Sequence, residues 1–294
     1  MGRALAEAVP AAAALFAEAD EILSFSLSRL CWTGPETDLN DTLNTQPALL
    51  VHSVAVLKAL EAQGLSARPA FVAGHSLGEF SALVAAGALR FPDALRLVRE
   101  RGRVMKEAGA LQPGGMAAVL GADVDVVEEA CRRARASSGA AVEVANDNCP
   151  GQVVISGADA GLAAATQELQ ALGARRVIRL AVSIAAHSSL MAPAQRTFAR
   201  SLASAPLDDP RLTVLGNVGA APLRTAAEAR ADLEAQLTSR VRWTESVRAM
   251  VAAGVHEFFE IGTGEVLSGL IRRTEPAAKV HAVDGPDSLA LLTA

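Results

Sequence analysis

The chain has 294 residues, of which 51% are hydrophobic and 20% charged, a composition typical of a compact folded protein. The net charge of −5 and the lack of a dense Lys/Arg run argue against a nucleic-acid-binding surface. No apolar run is long enough to span a bilayer, so we expect no membrane segment. Three widely separated cysteines without metal-ligand spacing predict reduced thiols in a cytoplasmic protein that binds no metal.

The N-terminal part of the chain is predicted to be mostly helical. Ala and Leu dominate residues 3–30, and turn-forming residues predict a loop over 31–46. An apolar run at 47–57 predicts a buried helix, with Thr45 as its N-cap and Pro47 in its first turn.

A second, amphipathic helix is predicted over residues 91–108. Its apolar positions Leu95, Val98 and Met105 share one face. Arg101 is one of four arginines that surround this face. An arginine in such a pattern is ordinarily solvated, so the pattern by itself assigns Arg101 no function.

The most informative motif of the chain is AGHSLGE, residues 73–79. An apolar run at 69–73 predicts a buried strand before the serine, and residues 80–87 predict a helix after it. Gly-x-Ser-x-Gly between a strand and a helix is typical of a nucleophile elbow, which exposes the serine Oγ on a tight turn. The two glycines are expected to leave room where strand and helix approach, and the helix N-terminus to stabilise an anion beside Ser76.

Residues 115–182 are predicted to form a separate unit. Their pattern follows the order β-α-β-β-α-β, which is the split βαβ unit of ferredoxin-like domains. The predicted strands are 116–120, 141–145, 152–156 and 176–182, and the predicted helices are 124–136 and 158–172. A polar turn at 146–151 is placed where it could face a cleft.

The rest of the chain, residues 1–114 and 183–294, is predicted to form one larger α/β domain into which this ferredoxin-like subdomain is inserted. Strands alternate with helices after residue 183, which favours a mainly parallel sheet. The predicted strands are 212–218, 257–261 and 279–283, and the predicted helices include 190–202 and 243–253.

Five histidines are candidates for the base that activates the serine. His52 falls in a predicted buried helix and His281 in a predicted strand, where core packing is expected. His256 precedes a strand, whereas sites on open α/β sheets gather at the carboxyl ends of strands. His75 neighbours the serine, and adjacent side chains at a turn rarely meet. His187, placed after a predicted strand and before a helix, is the remaining candidate.

The third member of a catalytic triad is not evident. An α/β-hydrolase triad runs Ser, acid, His, but no carboxylate between residues 76 and 187 stands alone after a strand of the main sheet. A backbone carbonyl that accepts from the histidine Nδ1–H would fix the same tautomer.

Six short stretches, distributed along almost the whole chain, stand in a characteristic order. They are TQPA (45–48), GHSLGE (74–79), RGRVM (101–105), NCPGQVVI (148–155), HSSLM (187–191) and GTGEVL (262–267). In these stretches the chain resembles the malonyl-CoA:acyl carrier protein transacylases of fatty acid synthesis and the related acyltransferase domains of polyketide synthases. The resemblance implies an α/β-hydrolase-like domain with a ferredoxin-like insertion.

The resemblance also implies a role for individual residues. Ser76 matches the serine that is acylated, and His187 matches the catalytic histidine. Gln236 matches the position whose main-chain carbonyl orients that histidine. Arg101 matches the arginine that pairs with the malonyl carboxylate, which a planar guanidinium binds through two parallel hydrogen bonds.

Three further residues are implied at or near the pocket. His75 and Asn217 match positions beside it, and the Leu77 N–H is an oxyanion donor. The family also has a first strand and a Gly-Gln-Gly-type turn upstream of the position that Gly2 matches, and this sequence contains neither. Since loss of one oxyanion donor costs roughly 10²–10³ in rate, we expect either a start upstream of Met1 or an impaired enzyme.

The function implied is a ping-pong transfer of a malonyl group from malonyl-CoA to the phosphopantetheine thiol of an acyl carrier protein, without a metal or redox cofactor. Two alternatives stay open. One is a serine thioesterase or lipase-like hydrolase with the same elbow, and the other is a catalytically silent protein that docks carrier domains. Arg101 favours the transferase over the hydrolase, because a hydrolase of neutral acyl chains has no use for a buried guanidinium.

Overall fold

The computed structural model describes residues 1–64 and 68–293, which form a mixed α/β architecture. It opens with the helices α1 (Arg3–Ala8), α2 (Pro10–Leu23), α3 (Leu27–Thr33), α4 (Glu36–Leu39) and α5 (Thr42–Ala62). The single helix expected at 3–30 is therefore divided. Pro10, which lacks an N–H, begins a new helix, and Ser24 ends it in the left-handed region with φ of 56°. The prediction of a loop at 31–46 is wrong, since most of this range is helical.

The long helix α5 begins earlier than the sequence predicts. Its N-cap is Asp41 and not Thr45, since the Asp41 carboxylate accepts from Leu43 N at 3.0 Å. Pro47 lies inside α5 and not in its first turn, and its missing N–H leaves the Leu43 carbonyl without its helical donor. Arg99 Nη1 donates to that carbonyl at 2.7 Å, so a neighbouring helix compensates for the proline.

The predicted strand and helix on either side of the AGHSLGE motif are observed. They are β1 (Phe71–Ala73) and α6 (Gly78–Ala85), and the next helix is α7 (Phe91–Leu111). Much later in the chain come β6 (Thr213–Leu215) and β7 (Pro222–Leu223). β1 pairs with β6 in parallel, and β7 pairs with β6 antiparallel. Because Ala73 pairs with Leu215, the elbow that follows β1 lies beside the loop that follows β6.

The predicted order of elements at 115–182 is also observed. The elements are β2 (Gly115–Leu120), α8 (Val124–Ser138), β3 (Val142–Cys149), β4 (Gln152–Gly157), α9 (Asp159–Ala171) and β5 (Arg176–Arg179). Antiparallel pairs give the order β5-β2-β4-β3, and the short strand β8 (Val241–Arg242) extends this sheet in parallel beside β3. The last strand of the unit ends at Arg179, three residues before the predicted end at 182. An apolar core under α8 and α9 includes Val119, Ile155 and Leu169.

The C-terminal part supplies the remaining elements. After a short 3₁₀ helix at Ser189–Met191 come α10 (Ala192–Ser204), α11 (Ala226–Gln236), α12 (Trp243–Ala252), β9 (Glu257–Ile261), α13 (Val266–Thr274), β10 (Lys279–Val283) and α14 (Pro286–Thr293). β9 and β10 have the predicted bounds and pair in parallel. They do not join β1 and β6, so in the described residues the parallel strands form two sheets and not the single one expected.

Close packing of α5 against α7 brings residues of both helices towards the elbow. A Cβ added to Gly102 of α7 would lie 2.6 Å from the Thr42 carbonyl oxygen, so the backbones meet there only because this residue is glycine. The preceding residue, Arg101, is thereby held beside Gln46 of α5. Among the described residues, no helix combines the length and the apolar character needed to cross a membrane.

Candidate active site

Ser76 occupies a strained turn between β1 and α6. Its φ of 52° lies in the left-handed region, which is uncommon for a residue with a side chain and is concentrated at functional sites. A Cβ on Gly74 would lie 2.0 Å from the carbonyl group of Gly78, so strand and helix touch at that point. A Cβ on Gly78 would meet nothing within 4 Å. The expectation that both glycines avoid a collision is therefore right for Gly74 and wrong for Gly78.

Asn217, in the loop after β6, holds the backbone of this turn. Its Oδ1 accepts from Ser76 N at 2.6 Å, and its Nδ2 donates to the Gly74 carbonyl at 2.7 Å. Because Asn217 is only 2% exposed, both bonds are shielded from water. The structure thus places Asn217 against the elbow, where it supports the strained backbone.

His187 lies against the serine with the geometry of a base. Its Nε2 is 2.8 Å from Ser76 Oγ, and its Nδ1 is 2.9 Å from the Gln236 carbonyl oxygen. A carbonyl only accepts, so Nδ1 carries the proton and Nε2 presents its lone pair to the serine. Burial, and next the positive charge of Arg101, lower the pKa of His187 to about 3. The imidazole is therefore neutral at pH 7, and a carbonyl occupies the place of the missing acid.

Arg101 is buried and not solvated, contrary to what the helix pattern alone suggests. It is 2% exposed, and its Nη2 donates to Ser76 Oγ at 3.0 Å and to Gln236 Oε1 at 2.8 Å. Its Nη1 donates to Gln46 Oε1 at 2.7 Å. Burial lowers its pKa to about 10, so the guanidinium stays charged at neutral pH. No carboxylate of the described residues forms an ion pair with it.

Two glutamines shape the site, and sequence reasoning assigned the side chain of neither. Gln46 belongs to the TQPA stretch, which was a signal, but only tertiary packing shows that its Oε1 accepts from Arg101. Gln236 was expected to act through its backbone carbonyl alone. Its side chain also donates, from Nε2, to the Ser76 carbonyl at 3.0 Å and to Glu79 Oε2 at 2.7 Å.

His75 bonds to Asn148 and not to the serine hydroxyl. Its Nε2 lies 2.8 Å from Asn148 Oδ1, and its ring packs against Trp243 with centroids 5.8 Å apart. Burial lowers its pKa, so the ring is neutral at pH 7. Asn148 lies in β3, so the stretch expected as a polar turn at 146–151 is mostly strand and brings the five-stranded sheet to the edge of the site.

The other histidines lie elsewhere. His52 is buried as expected, with Nε2 2.9 Å from the Asp284 carbonyl oxygen. The core position expected for His281 is wrong, since its side chain is 42% exposed, pairs with Glu257 and stacks on Phe259. His256 is exposed just before β9.

The expected oxyanion donor, the N–H of Leu77, belongs to the N-cap residue of α6. Within residues 1–64 and 68–293 this N–H has no hydrogen-bond acceptor. It lies next to the serine in sequence and at the positive end of the helix, so it is placed to donate to an anion formed at Ser76.

A family model described as the acyl transferase domain matches residues 1–284. The chain belongs to the acyl transferase family. It is 44% identical to the malonyl CoA-acyl carrier protein transacylase of Bacillus subtilis (strain 168), over 99% of this chain and 91% of that relative. This similarity confirms the resemblance that the six sequence stretches indicate.

Solved acyl transferase structures share its fold. One is a complex of a type II polyketide synthase acyl carrier protein with its malonyl-transacylase, which matches with a TM-score of 0.94 and 40% identity over 99% of this chain and 93% of that chain. The acyl-carrier-protein-S-malonyltransferase from Bartonella henselae matches with a TM-score of 0.95 and 39% identity, over 99% and 93%. The predicted α/β class is therefore confirmed.

Proposed function

We propose that this acyl transferase moves a malonyl group from malonyl-CoA to the phosphopantetheine thiol of an acyl carrier protein, in fatty acid or polyketide synthesis. The relatives that match almost the whole chain are named for this transfer. The observation that carries the proposal is the guanidinium of Arg101, which is buried 3.0 Å from Ser76 Oγ without an ion-pair partner among the described residues. A cation at that point recognises an acyl group that ends in a carboxylate.

The first half-reaction acylates the serine. His187 Nε2 takes the proton of Ser76 Oγ as the oxygen attacks the thioester carbonyl. The C–S bond then breaks, and His187 returns the proton to the departing CoA thiolate. Arg101 exchanges its hydrogen bond to the serine for a bidentate pair with the malonyl carboxylate, and the Leu77 N–H stabilises the oxyanion.

The second half-reaction reverses these steps with a different thiol. His187 takes the proton of the phosphopantetheine thiol, whose sulfur attacks the malonyl-serine carbonyl. The ester bond to Ser76 breaks, and the serine oxygen recovers its proton from His187. The base, the nucleophile and the carboxylate-binding cation are all side chains of this chain, so the proposed chemistry uses no metal or redox cofactor.

The remaining structural predictions belong to this proposal. An α/β-hydrolase-like domain of residues 1–114 and 183–294 holds the catalytic pair, and a ferredoxin-like subdomain of residues 115–182 borders it. The antiparallel order β5-β2-β4-β3 with two helices supports the second assignment. The cytoplasmic location stays a prediction from the reduced cysteines.

Intact-protein mass spectrometry after mixing with malonyl-CoA tests the function. We expect a malonyl adduct on the wild-type chain that is absent from the Ser76→Ala variant and is discharged when holo acyl carrier protein is added. Rapid loss of the adduct in buffer alone would identify a hydrolase. No adduct at all would favour a catalytically silent carrier-binding protein.

A further inference from the structure

Two carboxyl groups lie directly beneath the catalytic pair and have no part in the proposed reaction. Glu79, in the first turn of α6, is fully buried at 0% exposure. Asp232, on α11, is partly buried and lies within hydrogen-bond reach of the Glu79 carboxyl group. Two ionised carboxylates in contact and out of water would repel each other strongly, so at least one of them carries a proton.

The hydrogen-bond partners decide which oxygen carries it. Arg101 can only donate, so the Gln236 amide must turn its Oε1 towards Arg101. The Gln236 Nε2 then faces the Ser76 carbonyl and Glu79 Oε2, and both of these must accept. Glu79 Oε2 is therefore engaged as an acceptor, which favours the other oxygen as the site of the proton.

The second oxygen of Glu79 remains. Glu79 Oε1 is buried, and as an ionised acceptor it has no hydrogen-bond donor among residues 1–64 and 68–293. If it is protonated, Oε1 gains a partner, since it can donate to the Asp232 carboxylate. Burial, and next the negative charge of Asp232, raise the pKa of Glu79 well above its usual range, in the same direction.

Asp232 is the ionised member of the pair because its other contacts all require an acceptor. Its carboxylate accepts from the backbone N–H groups of Asn217 at 3.1 Å and Val218 at 3.3 Å. A Cβ on Gly216 would lie 2.7 Å from Asp232 Oδ1, so the chain passes close to the carboxylate only because this residue is glycine. Asp232 thereby fixes the loop that carries Asn217.

We propose that Glu79 and Asp232 share one proton and act as a positioning pair for the acyl transfer site. On one side of the pair, which we call the Glu79 arm, Glu79 holds Gln236, which orients Arg101 and the Ser76 carbonyl. The Asp232 arm holds Asn217, which binds the Ser76 N–H and the Gly74 carbonyl. This inference rests on the proposed role of Arg101 in binding a carboxylated acyl group.

The two arms predict different kinetic consequences. The Glu79 arm ends on the guanidinium, so weakening it should impair transfer of malonyl more than transfer of acetyl, which has no carboxylate. The Asp232 arm ends on the elbow backbone, so weakening it should impair both acyl groups alike. A purely structural role for Glu79 would lower both rates by the same factor.

The central test is a set of variants assayed by single-turnover acylation of Ser76 with malonyl-CoA and acetyl-CoA. Glu79→Gln replaces the protonated carboxyl by an amide that donates to Asp232 and accepts from Gln236, so both rates should stay within about threefold of wild type. Glu79→Ala leaves the Gln236 Nε2 without an acceptor and should lower the malonyl rate roughly tenfold more than the acetyl rate. Asp232→Asn replaces one accepting oxygen by an NH₂ group, which would face a backbone N–H donor, so it should lower both rates.

Opposite outcomes would overturn the proposal. If Glu79→Gln loses as much activity as Glu79→Ala, Glu79 is ionised and the shared proton is wrong. If Asp232→Asn is tolerated instead, the proton resides on Asp232. If Glu79→Ala lowers malonyl and acetyl rates equally, the positioning role is wrong. Should Glu79→Ala fail to fold, Glu79→Asp serves, because its shorter carboxyl group withdraws from Gln236.

An infrared measurement tests the proton independently of the reaction. The carbonyl stretch of a protonated carboxylic acid should be present at neutral pH in wild type and absent from Glu79→Gln. Among the described residues, the guanidinium of Arg101 on α7 is a charged group that acts on Glu79. If Arg101→Ala leaves the malonyl-to-acetyl ratio unchanged, the role of Arg101 is wrong, whereas a missing infrared band would refute the shared proton alone.

Discussion

The helices α8 and α9 and the helices around Ser76 use charged side chains in opposite ways. On α8, Glu129 accepts from Arg132 and Arg133 at 2.6 and 2.7 Å at the protein surface. Around the elbow, Glu79 and Arg101 are buried and both contact the amide of Gln236 rather than each other. The arginines of α8 are free to exchange partners with water, whereas the Nη atoms of Arg101 donate to buried groups on Gln46, Gln236 and Ser76.

This contrast shows how burial, more than charge, decides what an ionisable side chain does in this molecule. The paired arginines lower the pKa of Glu129 to about 2, and burial raises the pKa of Glu79 well above its usual range. An exposed pair is screened by water and salt and contributes little to stability. A buried guanidinium has given up its water and gains most from a ligand that restores a charge partner.

The largest effects should come from the catalytic pair itself, in the buried region. Ser76→Ala should abolish the malonyl adduct, because no other nucleophile replaces the serine at the elbow. His187→Ala should reduce acylation on the order of 10⁴-fold and leave a slow reaction, since the oxyanion donor and substrate binding survive. Single-turnover mass spectrometry measures both. Near-normal acylation by His187→Ala would show that another group is the base.

Arg101→Ala should have the next largest effect, and a selective one. Truncation of one partner of a buried charge pair costs about 2–5 kcal/mol, so transition-state binding of malonyl-CoA should weaken by about that free energy, and its kcat/KM should fall by the corresponding factor. The kcat/KM for acetyl-CoA should hold or rise. Arg101→Lys should restore only part of the malonyl rate, because an ammonium cannot form the bidentate pair.

The matched control is Arg103→Ala, two residues along the same helix. Arg103 pairs with Glu100 and Glu107 at the surface, and its side chain is 42% exposed. Its removal should leave the ratio of malonyl to acetyl rates unchanged. Equal losses of malonyl and acetyl transfer in Arg101→Ala would mean that Arg101 supports the fold and does not read the substrate.

The local part of this site could be predicted from the sequence. The elbow is encoded in consecutive residues, and β9 and β10 are short segments flanked by turn-forming residues, so their bounds match the structure. The burial of Arg101 could not be derived from its helix, whose arginines look alike until Gly102 brings α5 close. The pairing of Glu79 with Asp232 was also hidden, because no local pattern joins residues so far apart in sequence.

The next prediction concerns the close approach of strand and helix in the elbow. Gly74→Ala should destabilise the protein by about 1–3 kcal/mol or more, because its Cβ would overlap backbone atoms of Gly78 at 2.0 Å, which cannot move aside. Gly78→Ala should keep or slightly raise the melting temperature, since its Cβ enters open space and alanine favours a helix. Thermal unfolding of both variants checks the difference, and equal destabilisation would mean that the turn is packed differently.

The smallest effect is expected at the surface pairs of α8. Glu129→Gln removes the negative charge that pairs with Arg132 and Arg133, yet it should shift the melting temperature by only about 2 °C or less, because water already solvates all three groups. Since the pKa of Glu129 is lowered in the folded state, the stabilisation it gives is present above its ordinary pKa and is lost as the pH falls towards about 2. About 1 M salt should remove most of the difference at pH 7, because it screens exposed charges. The malonylation rate should not change, as Glu129 lies outside the hydrogen-bond network of Ser76. A large, salt-independent loss of stability would mean that these charges are desolvated, and the contrast between α8 and the buried region would then be wrong.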